Sequence, residues 1–305
     1  MNCHSSEVSR RSWLLGSLGF VALGTGEDPK NPAIEKIRAR GKMAGMEGFD
    51  ESETASYRGI GDARQPFREA ALEICESVAA DYRKHFADKG FELVKPKEKL
   101  VVVILMGPKS YAMFEGGFID EAVGGHFDLE ENRLVMFDFR GPGANPRSVI
   151  PEQDNTLVLV HETIHQLTFN TGLLDLKADV PLLVSEGLGT YGETWRPRHK
   201  GDIGAVNLRR RKGLDQGRQQ GVKWIPIATL IAEDKLFSDP KTQQVAYAEC
   251  WLFAWKMLRD KTRLPQFRAY LEALRDKPDP KGRLALATNH LGDLAKLDQE
   301  IRTGH

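Results

Sequence analysis

The chain has 305 residues, of which 41% are hydrophobic and 28% are charged, values ordinary for a globular protein of one large or two small domains. Lysine plus arginine and aspartate plus glutamate number 43 each, so the formal net charge is zero. No global positive field therefore favours nucleic acid or an anionic membrane, and we expect neither as a partner.

The first 24 residues, 1–24, have the layout of an export signal. Arg10 and Arg11 precede an apolar stretch at 13–23 that is too short to span a bilayer, and its small-x-small end at 22–24 is compatible with cleavage. The paired arginines also resemble a twin-arginine signal, with tryptophan where phenylalanine is usual. We predict export to the periplasm, the cell envelope or the medium, with no stable membrane insertion after signal removal. An uncleaved amphipathic start is the alternative.

Residues 25–61 are rich in Gly, Glu, Lys and Asp without sustained periodicity, and we interpret them as a linker that leads into one domain at 62–305. From Phe67 onwards, apolar residues recur at three- and four-residue steps, which predicts an amphipathic helix ending near Gly90. The run KLVVVILMG at 99–107 is β-branched and bounded by Gly-Pro, which predicts a buried strand.

The segment GGHFDLEENRLVMFDF at 124–139 predicts two strands around a polar turn, whereas almost everything after Trp195 has helical character. The run AYAECWLFAWKML at 246–258 is apolar nearly all round and predicts a core helix. The basic run LRRRK at 208–212 is interpreted as a solvated helix face. A sheet early and helices late predict an α+β fold, with a small N-terminal mixed sheet followed by a mainly helical C-terminal part.

The three cysteines show no spacing typical of a thiolate metal site. Cys75 and Cys250 both lie in apolar helical patterns, which predicts buried free thiols. A disulfide between them stays open as the alternative.

The stretch NTLVLVHETIHQLTFNTG at 155–172 contains the motif H-E-x-x-H. On a helix, His161 and His165 lie one turn apart on the same face, so both imidazoles can reach a single Zn²⁺ at about 2.0–2.1 Å. Glu162 lies about 100° around the helix from His161. It can therefore stand beside water on the metal and act as a general base.

The flanks of this motif predict where its helix begins and ends. Asp154 or Asn155 can cap the start, and Gly172 can supply the left-handed residue after the end. Thr168 and Thr171 stand where the metzincin extension of the motif requires Gly and His, so that variant is excluded.

A catalytic zinc needs three protein ligands and one open position, so a third ligand must come from elsewhere in the chain. The segment PLLVSEGLGTYGE at 181–193 predicts a second helix that carries Glu186, and its glycines would let this helix approach the first closely. An exposed helix glutamate is the alternative for Glu186. Glu193 is a weaker candidate that could instead pair with a basic neighbour.

The motif H-E-x-x-H, a gap of about two dozen residues and then S-E-G-L-x-x-Y resemble the gluzincin metallopeptidases, in particular the peptidase-MA-like group of exported bacterial proteins. The resemblance covers about Val101 to Leu258 and implies a zincin-like metallopeptidase domain. It implies His161, His165 and Glu186 as ligands of one Zn²⁺ per chain, and Glu162 as the general base.

The same resemblance implies a substrate edge and a donor to the oxyanion. In such folds a strand edge above the active-site helix holds extended substrate by main-chain pairing, and the hairpin at 124–139 is the local candidate. Tyr247 is the predicted oxyanion donor, with Tyr191 as a competitor and a core tyrosine as the alternative. His126 on the hairpin could line the cleft, although a surface histidine is the plainer interpretation.

These features predict a zinc-dependent metallopeptidase that hydrolyses peptide bonds of a peptide or protein substrate through a zinc-bound water and a glutamate general base. Two alternatives stay open. One is a non-catalytic zincin-like binding domain, in which zinc is structural or absent. The other is a metal-dependent hydrolase of non-peptide substrates.

Overall fold

The computed structural model describes residues 31–117, 124–140, 149–197, 203–276 and 279–303, with the backbone alone described for 149–153. The strands of this part of the chain are β1 (Asp50–Glu53), β2 (Tyr57–Gly61), β3 (Leu100–Leu105), β4 (Gly125–Asp128) and β5 (Arg133–Phe137). Its α-helices are α1 (Pro32–Met43), α2 (Gln65–Asp88), α3 (Pro108–Glu115), α4 (Val149–Asn170), α5 (Leu182–Gly192), α6 (Leu208–Gln219), α7 (Ile227–Ala232), α8 (Gln243–Arg259), α9 (Arg263–Leu274), α10 (Arg283–Leu291) and α11 (Leu294–Thr303). The predicted export signal at 1–24 lies outside the described residues.

The five strands form one mixed sheet in the order β1-β2-β3-β5-β4. Strands β2, β3 and β5 run parallel, whereas β1 and β4 pair antiparallel at the two edges. Helices α2 and α4 cover one face of the sheet, and α1 and α3 cover the other. Side chains of β3 alternate between the two resulting hydrophobic clusters, and all six residues of this strand are buried, which confirms the predicted buried strand.

The predicted hairpin is confirmed as β4 and β5, which are joined by a turn in which Asn132 has a positive φ of 49°. The predicted fold class is also confirmed at its coarse level. The small sheet lies in the N-terminal part of the chain, and helices dominate after α4.

The interpretation of residues 25–61 as a linker is wrong for residues 31–61, which contain α1, β1 and β2. Two of its glycines, Gly59 and Gly61, serve close packing in the sheet. A Cβ at Gly61 would lie 2.0 Å from the carbonyl oxygen of Ile104 on the neighbouring strand, so this position excludes every side chain. The folded unit therefore begins before residue 62.

Helix α4 begins earlier than the sequence predicts, at Val149, so neither Asp154 nor Asn155 caps its start. The Asn155 side chain has another use. Its Oδ1 accepts from the Phe139 backbone N–H at 2.9 Å, and its Nδ2 donates to Asp138 at 2.9 Å, which ties α4 to the residues after β5. The predicted end is confirmed, since Gly172 has a φ of +76° directly after the helix.

The helical part packs around α5, which lies between α4 and α8. Helix α8 is the predicted core helix, and 13 of its 17 residues are buried. Cys75 and Cys250 are buried free thiols, as predicted, and the open alternative of a disulfide is thereby excluded. Among the described residues, we find no helix that combines the length and the apolar character needed to cross a bilayer.

Candidate metal centre

Helix α4 brings the H-E-x-x-H residues into the interior of the protein. His161, Glu162 and His165 are 1%, 4% and 6% exposed, so none of the three side chains is at the surface. The imidazoles of His161 and His165 are one helical turn apart, with ring centroids separated by 4.7 Å and the two Nε2 atoms by 3.0 Å. Two buried ring nitrogens this close have to share a proton, a cation or a common acceptor, because neither is open to solvent.

Helix α5 supplies a carboxylate at the same point. The Oε2 atom of Glu186 lies 3.2 Å from His161 Nε2 and 3.5 Å from His165 Nε2. Two atoms that bind one ion at about 2.1 Å with tetrahedral geometry lie roughly 3.4 Å apart, so the three observed separations suit a shared cation. The three side chains therefore form a cluster that could hold a metal ion.

The glycines of α5 allow this approach, as the sequence predicts. A Cβ at Gly189 would lie 2.9 Å from both His161 Cε1 and His165 Nε2, which is closer than a Cβ can sit. Gly187 faces the Cys250 carbonyl on α8 in the same way, and Gly192 faces Ile164 on α4. At these three glycines α5 presents bare backbone to its neighbours, and its Glu186 carboxylate extends to the imidazoles.

Glu193 is not part of the cluster; it holds the far side of one imidazole. Its Oε1 atom lies 3.0 Å from His161 Nδ1, and the residue is 1% exposed. Glu193 also accepts from Asn207 Nδ2 at 2.8 Å and forms two contacts with the guanidinium of Arg210. Carboxylates in this position fix the tautomer and orientation of a metal-binding imidazole.

The interpretation of the basic run at 208–212 as a solvated helix face is wrong for Arg210. The run at 208–212 begins α6, and most of it is exposed, as expected of a solvated helix face. Arg210 is the exception, because it turns inward to Glu193. Asn207, the residue immediately before α6, caps this helix by accepting from the Arg210 backbone N–H. Long-range ion pairing of this kind leaves no local pattern in a sequence.

Opposite charges set the protonation of the cluster. Burial would lower the pKa of His161, but Glu186 and Glu193 together raise it well above its usual value. Burial would raise the pKa of Glu186, but His165 and His161 hold it far below its usual value. Burial would likewise raise the pKa of Glu193, yet Arg210 and His161 keep it low. The carboxylates that favour a positive imidazole also favour a cation in place of its proton.

Glu162 differs from the other two carboxylates, because burial raises its pKa and, among the described residues, no base forms an ion pair with it. The charge of Glu186 acts in the same direction, whereas the two histidines and a backbone hydrogen bond from Phe127 on β4 oppose the rise. A carboxyl group whose pKa is raised by burial binds a proton more readily than an exposed one, as a general base requires.

The two tyrosine candidates have different surroundings. The hydroxyl of Tyr191 lies 2.9 Å from His85 Nε2, on the side of α5 that packs against α2, so His85 already engages it. Tyr247 is 2% exposed, and the guanidinium of Arg210 lies 5.3 Å from the centre of its ring. Tyr247 is thus linked to His161 through Arg210 and Glu193, and its role as oxyanion donor stays a prediction.

His126 is buried rather than at the surface, which corrects the plainer sequence interpretation. It is 5% exposed, and its Nδ1 lies 2.5 Å from the hydroxyl of Tyr111 on α3. Burial lowers the pKa of His126. Its neighbour on β4 is Phe127, whose backbone contacts Glu162. The contact between His126 and Tyr111 therefore joins α3 to the strand beside the metal centre. Tyr111 gives no sequence signal for such a contact.

Comparison with known proteins adds one finding. Residues 155–279 match the model of a family described as a protein of unknown function, DUF1570. The matched segment contains the H-E-x-x-H motif, Glu186, Glu193, Arg210 and Tyr247. No curated protein matches the chain.

Proposed function

We propose that this protein is a zinc-dependent metallopeptidase with a zincin-like domain of the gluzincin type. The observation that carries the proposal is the convergence of His161, His165 and Glu186 at separations of 3.0, 3.2 and 3.5 Å, all inside the protein. Two imidazoles and one carboxylate are a ligand set of catalytic zinc sites that keep a fourth position open.

The donor atoms favour a transition metal over Mg and Ca, and the H-E-x-x-H motif is the reason for proposing zinc among the transition metals. Imidazole nitrogens suit Zn, Cu, Fe and Ni, whereas Mg and Ca prefer oxygen ligands alone. Glu193 supports the proposal, because carboxylate–histidine pairs of this kind accompany zinc ligands and raise their basicity. We expect one zinc ion per chain.

A zinc ion bound here would lower the pKa of a coordinated water toward about 7 and polarise a substrate carbonyl. Glu162 takes the proton of the attacking water and passes it to the leaving amine. Hydrolysis breaks the C–N bond of the amide. The product on the amino-terminal side then ends in a carboxylic acid, and the product on the carboxyl-terminal side begins with an amine. Tyr247 remains the proposed donor to the oxyanion, through a hydrogen bond formed when substrate is present.

A peptide or protein is the proposed substrate, and β4 is its proposed docking edge. In the described chain β4 pairs only with β5, so its other edge can accept an extended peptide by main-chain hydrogen bonds. The adjacency of Phe127 to Glu162 would bring such a peptide close to the general base.

The buried state of Glu162 favours catalysis over the alternative of a zincin-like binding domain. Removing a carboxylate from water costs free energy, and no base in the described residues offsets that cost by a direct contact. A structural metal site has no need of such a group. A hydrolase of non-peptide substrates would use the same residues, so only substrate tests separate it from a peptidase.

The decisive experiment compares wild type with Glu162→Gln for metal content and for cleavage of a broad peptide library. We expect about one equivalent of zinc in both proteins and, in the variant, hydrolysis reduced by about 10²–10⁴-fold. Hydrolysis retained in Glu162→Gln, with contaminating metal excluded, would end the mechanism. Zinc without cleavage of any peptide or ester would favour the binding domain.

Export is proposed from residues 1–24 alone. Replacement of Arg10 and Arg11 by lysine should block export through a twin-arginine pathway, and fractionation of the expressing cells measures it. Equal export of wild type and variant would contradict the twin-arginine assignment.

A further inference from the structure

A cavity of about 130 Å³ lies at the end of the sheet where β2 and β3 begin, under the middle of α2. None of the metal-centre residues lines it. Its floor is apolar and buried, and is formed by Tyr57, Ala79, Leu100 and Leu167. Since one water occupies about 30 Å³ of liquid, the space suits a small organic molecule.

Tyr57 is the first sign of a ligand. The residue is 0% exposed, yet its hydroxyl has no hydrogen-bond partner in the described chain. The buried hydroxyls of Tyr82, Tyr111 and Tyr191 each have one, in Thr168, His126 and His85 respectively, whereas the Tyr270 hydroxyl, which does not line this cavity, also has none among the described residues. A buried hydroxyl without a partner costs free energy, so a molecule that enters the cavity and accepts from Tyr57 would be stabilised there.

Charge is the second sign. The lining includes four basic residues and one acidic residue, a local excess of three positive charges in a chain whose net charge is zero. Lys99 pairs with Glu53 at 2.5 Å, but no carboxylate lies within ion-pair distance of the others in the described chain. The acid nearest Tyr57, Glu76, is engaged by the Thr54 hydroxyl and the Ser56 backbone. The remaining basic residues are Arg83, Lys95 and Lys97.

We propose that this cavity binds a small organic carboxylate. Its carboxylate group meets the guanidinium of Arg83, whose planar donors match two oxygens at once, together with the ammonium groups of Lys95 and Lys97. The Tyr57 hydroxyl donates to the same group. A body of a few carbon atoms packs on the apolar floor, which distinguishes the ligand from an inorganic anion. The site is separate from the metal centre and does not depend on its chemistry.

The test uses the full chain and four probes, namely butyrate, acetate, inorganic phosphate and neutral butyramide, with binding followed by ligand-observed NMR and titration calorimetry. We expect saturable binding of butyrate, weaker binding of acetate and phosphate, and none of butyramide. Equal binding of butyrate, acetate and phosphate, or the absence of saturable butyrate binding, would overturn the proposal.

Three variants locate the site. Arg83→Gln should weaken butyrate binding at least about 10-fold, and Tyr57→Phe, which removes only the hydroxyl, about 3- to 10-fold. The matched control is Lys84→Gln, one residue along α2, because Lys84 pairs with Asp88 and does not line the cavity. Its affinity should equal that of wild type. If Arg83→Gln and Tyr57→Phe also bind butyrate like wild type, the ligand is elsewhere and the proposal fails.

Discussion

Glutamates are buried in two regions of this protein, and their pKa values shift in opposite directions. At the metal centre, Glu186 and Glu193 have lowered pKa values because histidines and Arg210 outweigh the effect of burial. On the other side of α8, burial raises the pKa of Glu249 to about 8, and the backbone N–H of Ile225 opposes it only in part. The glutamates of both regions are buried, so the charged groups beside each carboxyl, rather than burial, decide the direction of its pKa shift.

This difference separates a site prepared for a cation from a site that only tolerates an acid. The carboxylates near His161 are held ionised by the histidines of α4, by Arg210 of α6 and by Asn207, which directly precedes α6. Among the described residues, the backbone N–H of Ile225 is the hydrogen-bond donor to Glu249, and the nearby charges act on its pKa in both directions, since Arg302 and Arg218 lower it and Asp298 raises it. Substitutions in the two regions should therefore differ in their effect on zinc binding.

Loss of a proposed ligand should have the largest effect. Glu186→Ala should lose bound zinc almost completely, with affinity reduced by more than the roughly 100-fold that loss of an outer partner can cause. Metal analysis after dialysis measures this. Glu249→Ala is the control, since it also removes a buried glutamate from the same part of the fold, and it should retain the metal. Full zinc occupancy in Glu186→Ala would exclude this residue as a ligand.

Loss of the outer carboxylate should have the next largest effect. Glu193→Gln keeps the shape of the side chain but removes its charge from His161 and Arg210, so zinc affinity should fall about 10- to 100-fold. Competition with a chelator measures the affinity. An unchanged affinity would show that Glu193 is held by Arg210 for stability alone.

The close approach of α5 gives a third prediction. Gly189→Ala places a Cβ against both imidazoles, and we expect a loss of about 1–3 kcal/mol in the free energy of unfolding together with weaker zinc binding. Gly282→Ala is the matched control, because nothing lies within 4 Å of a Cβ there and its φ is −89°. Chemical denaturation of both variants measures the difference. Equal stability of the two would mean that α5 can move away from α4 without cost.

Glu249 is expected to have the smallest effect on zinc binding, and its own effect is on the pH dependence of the free energy of unfolding. Its pKa is raised from 4.5 to about 8, so the stability that depends on its protonated form is complete below pH 4.5 and is lost as the pH rises through 8. Glu249→Gln should remove this part of the pH dependence, a difference in Tm of roughly 2–4 °C for each kcal/mol. Thermal unfolding between pH 5 and 9 measures it. A wild type that gains stability relative to Glu249→Gln as the pH rises would reverse the sign and contradict the prediction.

The parts of this protein that the sequence predicted are those in which neighbours in space are neighbours in the chain. The spacing of His161 and His165 is fixed by one helical turn, and the strand β3 by six consecutive apolar residues. Glu186 is predicted from a motif, and the glycines of the same segment also give a physical reason for close packing of its helix. The structure confirms this close packing at Gly189.

The parts that the sequence did not predict depend on contacts between distant segments. Arg210 resembles its exposed neighbours in the basic run, and only the folded chain shows that it meets Glu193. His126 pairs with Tyr111 across two elements that lack any common pattern. Strand β2 has too few apolar residues and too many glycines to resemble a strand, because its neighbours in the sheet leave no room for side chains.

The three glycines of α5 limit which mutations the metal centre can accept. With no side chains to trim or enlarge at Gly187, Gly189 and Gly192, the spacing between α4, α5 and α8 is set by the contact of the α5 backbone with the Cys250 carbonyl, the two imidazoles and the Ile164 side chain. Such a spacing cannot be adjusted in small steps, since the first atom added to any of these glycines already collides. New substrate specificity therefore has to arise at the sheet edge and in the surrounding loops, while residues at the contacts between α4, α5 and α8 have to change together or not at all.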